Sequence, residues 1–214
     1  MLHIQKFTFN PLEENTYVLF ADNGDCCIID PGCYFEEERK TLKEFIVSNN
    51  LNPVYLLNTH CHLDHVFGNK YVSETWELPL YMHEDEQVVL SVAPQTGLMY
   101  GLPFENYTGE KKFLEPGDII TIAGSELKVL FTPGHSPGSI SFYNEEDGFV
   151  ISGDALFAGS IGRTDLPGGD FATLEHAIKT QLYTLPDTVK VYPGHGGGTS
   201  IGFEKQHNPF VRAD

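Results

Sequence analysis

The stretch 58-NTHCHLDHVFGN-69 places His60, His62, Asp64 and His65 within six consecutive positions, directly after the apolar run 53-PVYLL-57. Imidazoles are neutral near pH 7 and carboxylates are charged, so gathering them at the end of a buried strand carries a desolvation cost. A bound cation is the simplest species that offsets it. Cys61 sits between two of these candidate ligands. Neighbours in an extended segment point to opposite faces, so Cys61 reads as a buried bystander thiol.

Three further groups stand in turns that follow apolar, β-rich runs: His135 in 131-FTPGHSPGS-139, Asp154 in 151-ISGDALF-157 and His195 in 191-VYPGHGGG-198. Each is next to glycine, which lets the backbone approach a crowded centre. With the cluster they make seven candidate ligands, more than one ion of this kind takes. Two ions sharing a carboxylate would accommodate them, because a carboxylate has two oxygens. Asp154, the isolated acid of the later motifs, is the natural bridge. His3, His83, His176 and His207 stand alone and read as surface or helix residues.

The chain has 214 residues, a formal charge of −17 and a sequence pI near 4.7. Such a charge disfavours nucleic acid and anionic membrane surfaces as partners. A cation in the site would offset it locally, so a small anionic substrate remains compatible. No stretch of eighteen apolar residues and no signal-peptide pattern occurs. The four cysteines fall in the first third without a CxxC spacing, which fits a reducing cytoplasm rather than a disulfide framework. No linker-like stretch divides the chain, so a single domain over 1–214 is expected, its oligomeric state unspecified.

Strand-like and helix-like runs alternate twice. "LHIQKFTF", "NTYVLFAD" and "CCIIDPG" precede the helical "EEERKTLKEFIVSNN", with Leu42, Phe45 and Ile46 on one face. The strand "PVYLLNTH" and a helix opening near Asp64 follow. Residues 87–110 read either as a lid or as a core-packing helix. "EPGDIITIAG", "ELKVLFTPG", "GSISFYN" and "GFVISGDALF" are β-rich runs between turns, and a helix, "FATLEHAIKTQLYTL", precedes the last strand, "KVYPGHGG". Strands then helix, given twice, suggest two similar sheets packed face to face with helices outside, while periodicity by itself supports a mixed α/β or an α+β domain.

"THCHLDH", "TPGHSPGS", "SGDALFAGSIGRTD" and "YPGHG", in this order over nearly the whole chain, resemble the metallo-β-lactamase-fold hydrolases, in particular their glyoxalase II-like branch. The resemblance implies an αββα sandwich of two mixed sheets flanked by helices. It implies two divalent ions, zinc foremost with iron or manganese as alternatives. His60, His62 and His135 would hold the first, Asp64, His65 and His195 the second, and Asp154 both. Asp30 in "IIDPG" matches a family acid that orients a ligand, although a turn-capping role would explain it equally. The chain ends about where the helical substrate domain of glyoxalase II would continue.

The expected activity is hydrolysis of a small, anionic thioester of the hydroxyacylglutathione type, by a metal-bridging hydroxide that Asp64 and Asp154 orient. A thiolate leaves readily, its conjugate pKa being about 8.5, so no further acid is required. Arg163, Lys205 and Arg212 are candidate contacts for a substrate carboxylate, with Asp165 standing where the family usually has an aromatic hydroxyl. The rival reading is a persulfide dioxygenase using one iron on His60, His135 and Asp154. A lactonase, a β-lactamase, a nuclease and a non-catalytic metal protein are weaker alternatives.

Overall fold

The computed structural model describes residues 1–213. One sheet has six strands in chain order: β1 (Leu2–Phe9), β2 (Glu14–Ala21), β3 (Asp25–Ile29), β4 (Asn52–Leu57), β5 (Leu80–Met82) and β6 (Lys111–Phe113). The first three pair antiparallel and β3 to β6 pair parallel. The second sheet begins with β7 (Ile119–Ile122), β8 (Ser125–Phe131), β9 (Ile140–Asn144) and β10 (Phe149–Gly153), all antiparallel neighbours. A small hairpin of β11 (Leu156–Phe157) and β12 (Ser160–Ile161) intervenes. β13 (Lys190–Pro193) then adds parallel to β10, and β14 (Thr199–Ser200) closes the edge. Each sheet is mixed, as expected.

Alternation along the strands sorts side chains into layers. Leu19, Cys27, Ile29 and Leu57 point inward and meet Val129, Phe142 and Ile151 of the second sheet. Val18, Cys26, Ile28 and Leu56 point outward, under the first set of helices. Those are α1 (Glu36–Ser48), α2 (Leu63–Val66), α3 (Asn69–Trp76) and α4 (Glu86–Met99). In α1, Leu42 and Ile46 are buried, and the Glu38 carboxylate accepts the Tyr34 and Phe35 N–H groups, closing its N-terminus. The outer face of the second sheet carries Val150 and Val191 beneath α5 (Phe171–Ala177) and α6 (Ile201–His207).

The expected helix over 171–185 is two pieces, α5 and a π-helical turn at Ile178–Leu182, whose apolar side chains still reach the core. β14 and α6 were not anticipated. Residues 87–110 resolve in favour of the core-packing helix for their first half, with Leu90 and Ala93 buried in α4. Pro94 lies inside α4, and its missing N–H leaves the Leu90 carbonyl free. The Asn106 side chain donates to that carbonyl at 2.6 Å.

Candidate metal centre

The sheets end side by side, and the segments after β4, β8, β10 and β13 supply the seven candidate ligands, with Asp64 and His65 on α2. Two glycines make the gathering possible. At Gly194 a Cβ would overlap the Asp154 carboxylate and the His65 ring. Gly153 has φ +49°, and a side chain there would run into Thr59.

The geometry forms two trios whose ligand atoms lie within 4.8 Å of one another: His60, His62 and His135, and Asp64, His65 and His195. His62 Nδ1 is 2.8 Å from His135 Nε2, and His195 Nε2 is 3.1 Å from Asp64 Oδ2. Asp154 reaches both trios. Its Oδ2 lies 3.4 Å from His135 Nε2 and 3.5 Å from His195 Nε2, while Oδ1 lies 3.5 Å from His65 Nε2. Asp30, His60 and His65 also offer ligand atoms close together. There the Asp30 carboxylate is engaged in hydrogen bonds, accepting from the Thr59 N–H and hydroxyl at 2.7 and 2.5 Å and facing His65 Nδ1 at 3.1 Å. These partners lie across the fold, so Asp30 is more than a cap of its own turn.

Groups behind the trios set the imidazole tautomers. His135 Nδ1 donates to the Arg163 carbonyl at 2.7 Å, leaving Nε2 as the lone-pair nitrogen. The Thr59 hydroxyl, already donating to Asp30, accepts from His60 Nδ1 at 3.1 Å, so His60 Nε2 is likewise free to coordinate. His60 Nε2, His65 Nε2 and Asp154 Oδ1 are buried without a hydrogen-bond partner. Each such atom costs about 1–3 kcal/mol. An array of imidazole nitrogens and carboxylate oxygens with unpartnered atoms turned to one another fits divalent cations.

The trios differ electrostatically. Burial, reinforced by neighbouring imidazoles, pushes His60 far down and His62 to about 4. Burial acts in the same direction on His65 and His195, but Asp64 and Asp154 outweigh it and raise both. Burial would raise Asp64 and Asp154 in turn, and the same histidines hold them below the usual carboxylate range.

Two buried acids support the cluster and escaped the sequence reading. Glu86, at the start of α4, accepts the Cys61 N–H at 2.6 Å, the Ser136 hydroxyl at 2.5 Å and the Gly138 N–H at 2.8 Å. It thereby ties the turn bearing His60 and His62 to the turn bearing His135. Glu14 accepts from Thr16 and lies 3.9 Å behind His65, and burial lifts its carboxyl well above the usual range. Cys61 is buried with its sulfur 3.6 Å from that of Met82.

Five of the seven candidate ligands, His62, Asp64, His135, Asp154 and His195, line a groove of about 710 Å³ that α4 borders, and His60 and His65 are buried behind them. Arg163 lines it, with its guanidinium bound through two nitrogens to Asp165 at 2.7 and 2.8 Å. Lys205 and Arg212 do not line it. Lys205 binds the Leu185 carbonyl and the Asp187 carboxylate, and Arg212 is an exposed residue after α6. Among the described residues no helix is long and apolar enough to cross a membrane.

A family profile described as the metallo-beta-lactamase superfamily matches residues 10–195. A relative named probable metallo-hydrolase YqgX, from Bacillus subtilis, is 37% identical over 97% of this chain and 96% of its own. Hydroxyacylglutathione hydrolase GloC of Haemophilus influenzae is 33% identical over 99% of both. The crystal structure of the BLEG-1 B3 metallo-beta-lactamase superposes with a TM-score of 0.89 at 34% identity, covering 98% of this chain and 99% of that one. That of TTHA1623 in a di-iron-bound form gives 0.87 at 38% identity, covering 97% and 100%. Motifs, fold, donor cluster and relatives agree, and the chain belongs to the metallo-beta-lactamase superfamily.

Proposed function

We propose that this metallo-hydrolase is a dinuclear enzyme that cleaves small thioesters. The observation that carries the reading is the pair of donor trios within reach of Asp154, with five of the seven donors lining an open groove. His60, His62 and His135 would hold one divalent ion, Asp64, His65 and His195 the other, and Asp154 both, with zinc the first candidate. Bound ions would supply a water of lowered pKa and polarise the scissile carbonyl.

The chain's own residues do the rest. Asp64 and Asp154 present carboxylate oxygens that accept hydrogen bonds from the attacking water and aim it. Asp30, through Thr59 and His65, keeps imidazoles of both trios in their coordinating tautomers. The water oxygen bonds to the acyl carbon as the C–S bond breaks, giving a carboxylate, a thiol and one proton. Outside the donor set the titratable groups lining the groove are Cys61, Tyr100 and the paired Arg163. Burial pushes the Cys61 thiol up and Arg163 is paired with Asp165, which leaves the Tyr100 hydroxyl as the one candidate acid for a poor leaving group. A thiolate, with a conjugate pKa of about 8.5, asks for none. The likeness to a hydroxyacylglutathione hydrolase supports the same bond type.

The test is elemental analysis of protein purified without chelators, followed by a thioester panel. About two ions per chain with thioester cleavage is the expected result. A single iron, no thioester cleavage and oxygen uptake with a persulfide would replace this reading with the dioxygenase.

A further inference from the structure

We infer that the groove selects an uncharged thioester with an aliphatic acyl chain, and that it does not read the charges of glutathione; this rests on the thioesterase reading above. The wall that α4 offers is the evidence. Val88, Val92, Thr96 and Tyr100 all line the groove and recur every fourth residue, so they form one stripe about 18 Å long. Val89 and Ala93 fill in beside it, and none of these six side chains is charged.

Val88 and Val92 are 70% and 46% exposed although they stand over the donor cluster. Apolar surface left facing water next to reactive groups is surface that a bound chain covers. Of the remaining lining away from the ligands, Leu12, Phe157, Leu166 and Pro167 are apolar, and Arg163 is charged.

Charge leads to the same conclusion. Glutathione is a tripeptide thiol whose two carboxylates call for cationic partners in the groove. The one cationic side chain in the groove, Arg163, is already held by both oxygens of Asp165. What Arg163 contributes to the centre is its carbonyl, which receives His135 Nδ1–H and is indifferent to the side chain. Lys205 is engaged with Asp187, outside the groove. An aliphatic chain needs no such partner and gains roughly fourfold in affinity for each methylene removed from water.

The experiment has two arms. In the first, kcat/KM of the metal-loaded protein is measured for S-acyl-N-acetylcysteamine thioesters from acetyl to octanoyl, beside S-lactoylglutathione. It should rise by roughly fourfold per methylene until the chain fills the groove, and Val92→Asp should reduce the octanoyl-to-acetyl ratio. In the second, calorimetry follows binding of the matching S-alkyl thioethers to metal-free protein, where affinity should climb with chain length and fall in Val92→Asp. Thioether binding that ignores chain length, or S-lactoylglutathione turned over faster than every neutral thioester, would overturn the inference and leave the thioesterase reading intact. Chain-length-dependent thioether binding with no thioester cleaved would uphold the groove's preference and overturn the thioesterase reading instead.

Discussion

His60 and His65 have rings only 4.1 Å apart, both fully buried, yet their basicities move in opposite directions. His60 belongs to a trio of imidazoles alone. His65 has Asp30 at one ring nitrogen and Asp64 and Asp154 near the other. Burial disfavours charge on both, and only at His65 do enough carboxylates stand by to reverse it. Two sites with similar ligands can therefore differ in the charge they carry, and the carboxylates around them decide it.

Asp154→Ala strikes the one side chain that reaches both trios and should have the largest effect. Metal content should fall from about two ions to fewer than one per chain, with activity down by more than ~100-fold, beyond the usual cost of losing an outer partner. A fully metallated, active variant would break the idea of a shared carboxylate. Asp30→Ala removes the acceptor behind His65 directly and behind His60 through Thr59. Metal affinity should drop about 10–100-fold at both trios. Loss confined to one ion, seen in a metal titration, would show that the Thr59 relay carries nothing.

The metal-free protein should display the contrast as a pH profile. His62 falls from an ordinary 6.5 to about 4 on folding, so the unfolded chain takes up its proton first as pH drops. Its contribution, up to about 3 kcal/mol, is complete above pH 6.5 and lost between 6.5 and 4. His65 is raised, so its contribution is present below pH 6.5 and lost as pH rises through its higher folded value. Chemical denaturation of chelated protein should find greatest stability where these windows meet, near pH 6.5. His62→Gln should lessen the loss on the acid side, where His60 still contributes, and leave the alkaline side unchanged.

Glu86→Gln makes the finest cut. Glu86 touches the turns of the first trio and neither Asp64 nor His195. Exchanging one carboxylate oxygen for an amide should cost about 1–3 kcal/mol in stability, read by denaturation, and weaken the first ion more than the second. Equal weakening would mean that the trios are mechanically coupled.

Much of this centre was legible in sequence because its ligands are chemically unusual where they stand. Three histidines and an aspartate after a buried strand, and single polar residues in glycine turns, have few ordinary explanations. The supporting acids were not legible, since Glu86 sits in the run "HEDE" and resembles any solvated helix start. Its role exists only once the turns at 61 and 136–138 arrive from elsewhere in the chain. The engagement of Lys205 was hidden for a related reason: its partner Asp187 is eighteen residues away and invisible to local reading. The strand pattern suggested two sheets and the family resemblance implied the sandwich, but neither marked the break at Ile178, because an apolar stripe continues across it.

Pro94 divides α4 into halves with different duties. The half before it begins at Glu86 and is bound to the ligand turns. The half after it, from Gln95 to Met99, follows the backbone bond to Leu90 that the proline removes, and the Thr96 hydroxyl ties it back to the Val92 carbonyl at 3.2 Å. Substitutions beyond the proline can reshape the far end of the groove while the donor cluster keeps its mooring. The helix is thus a natural place for evolution, or a directed library over Thr96 to Tyr100, to trade one substrate for another without rebuilding the catalyst.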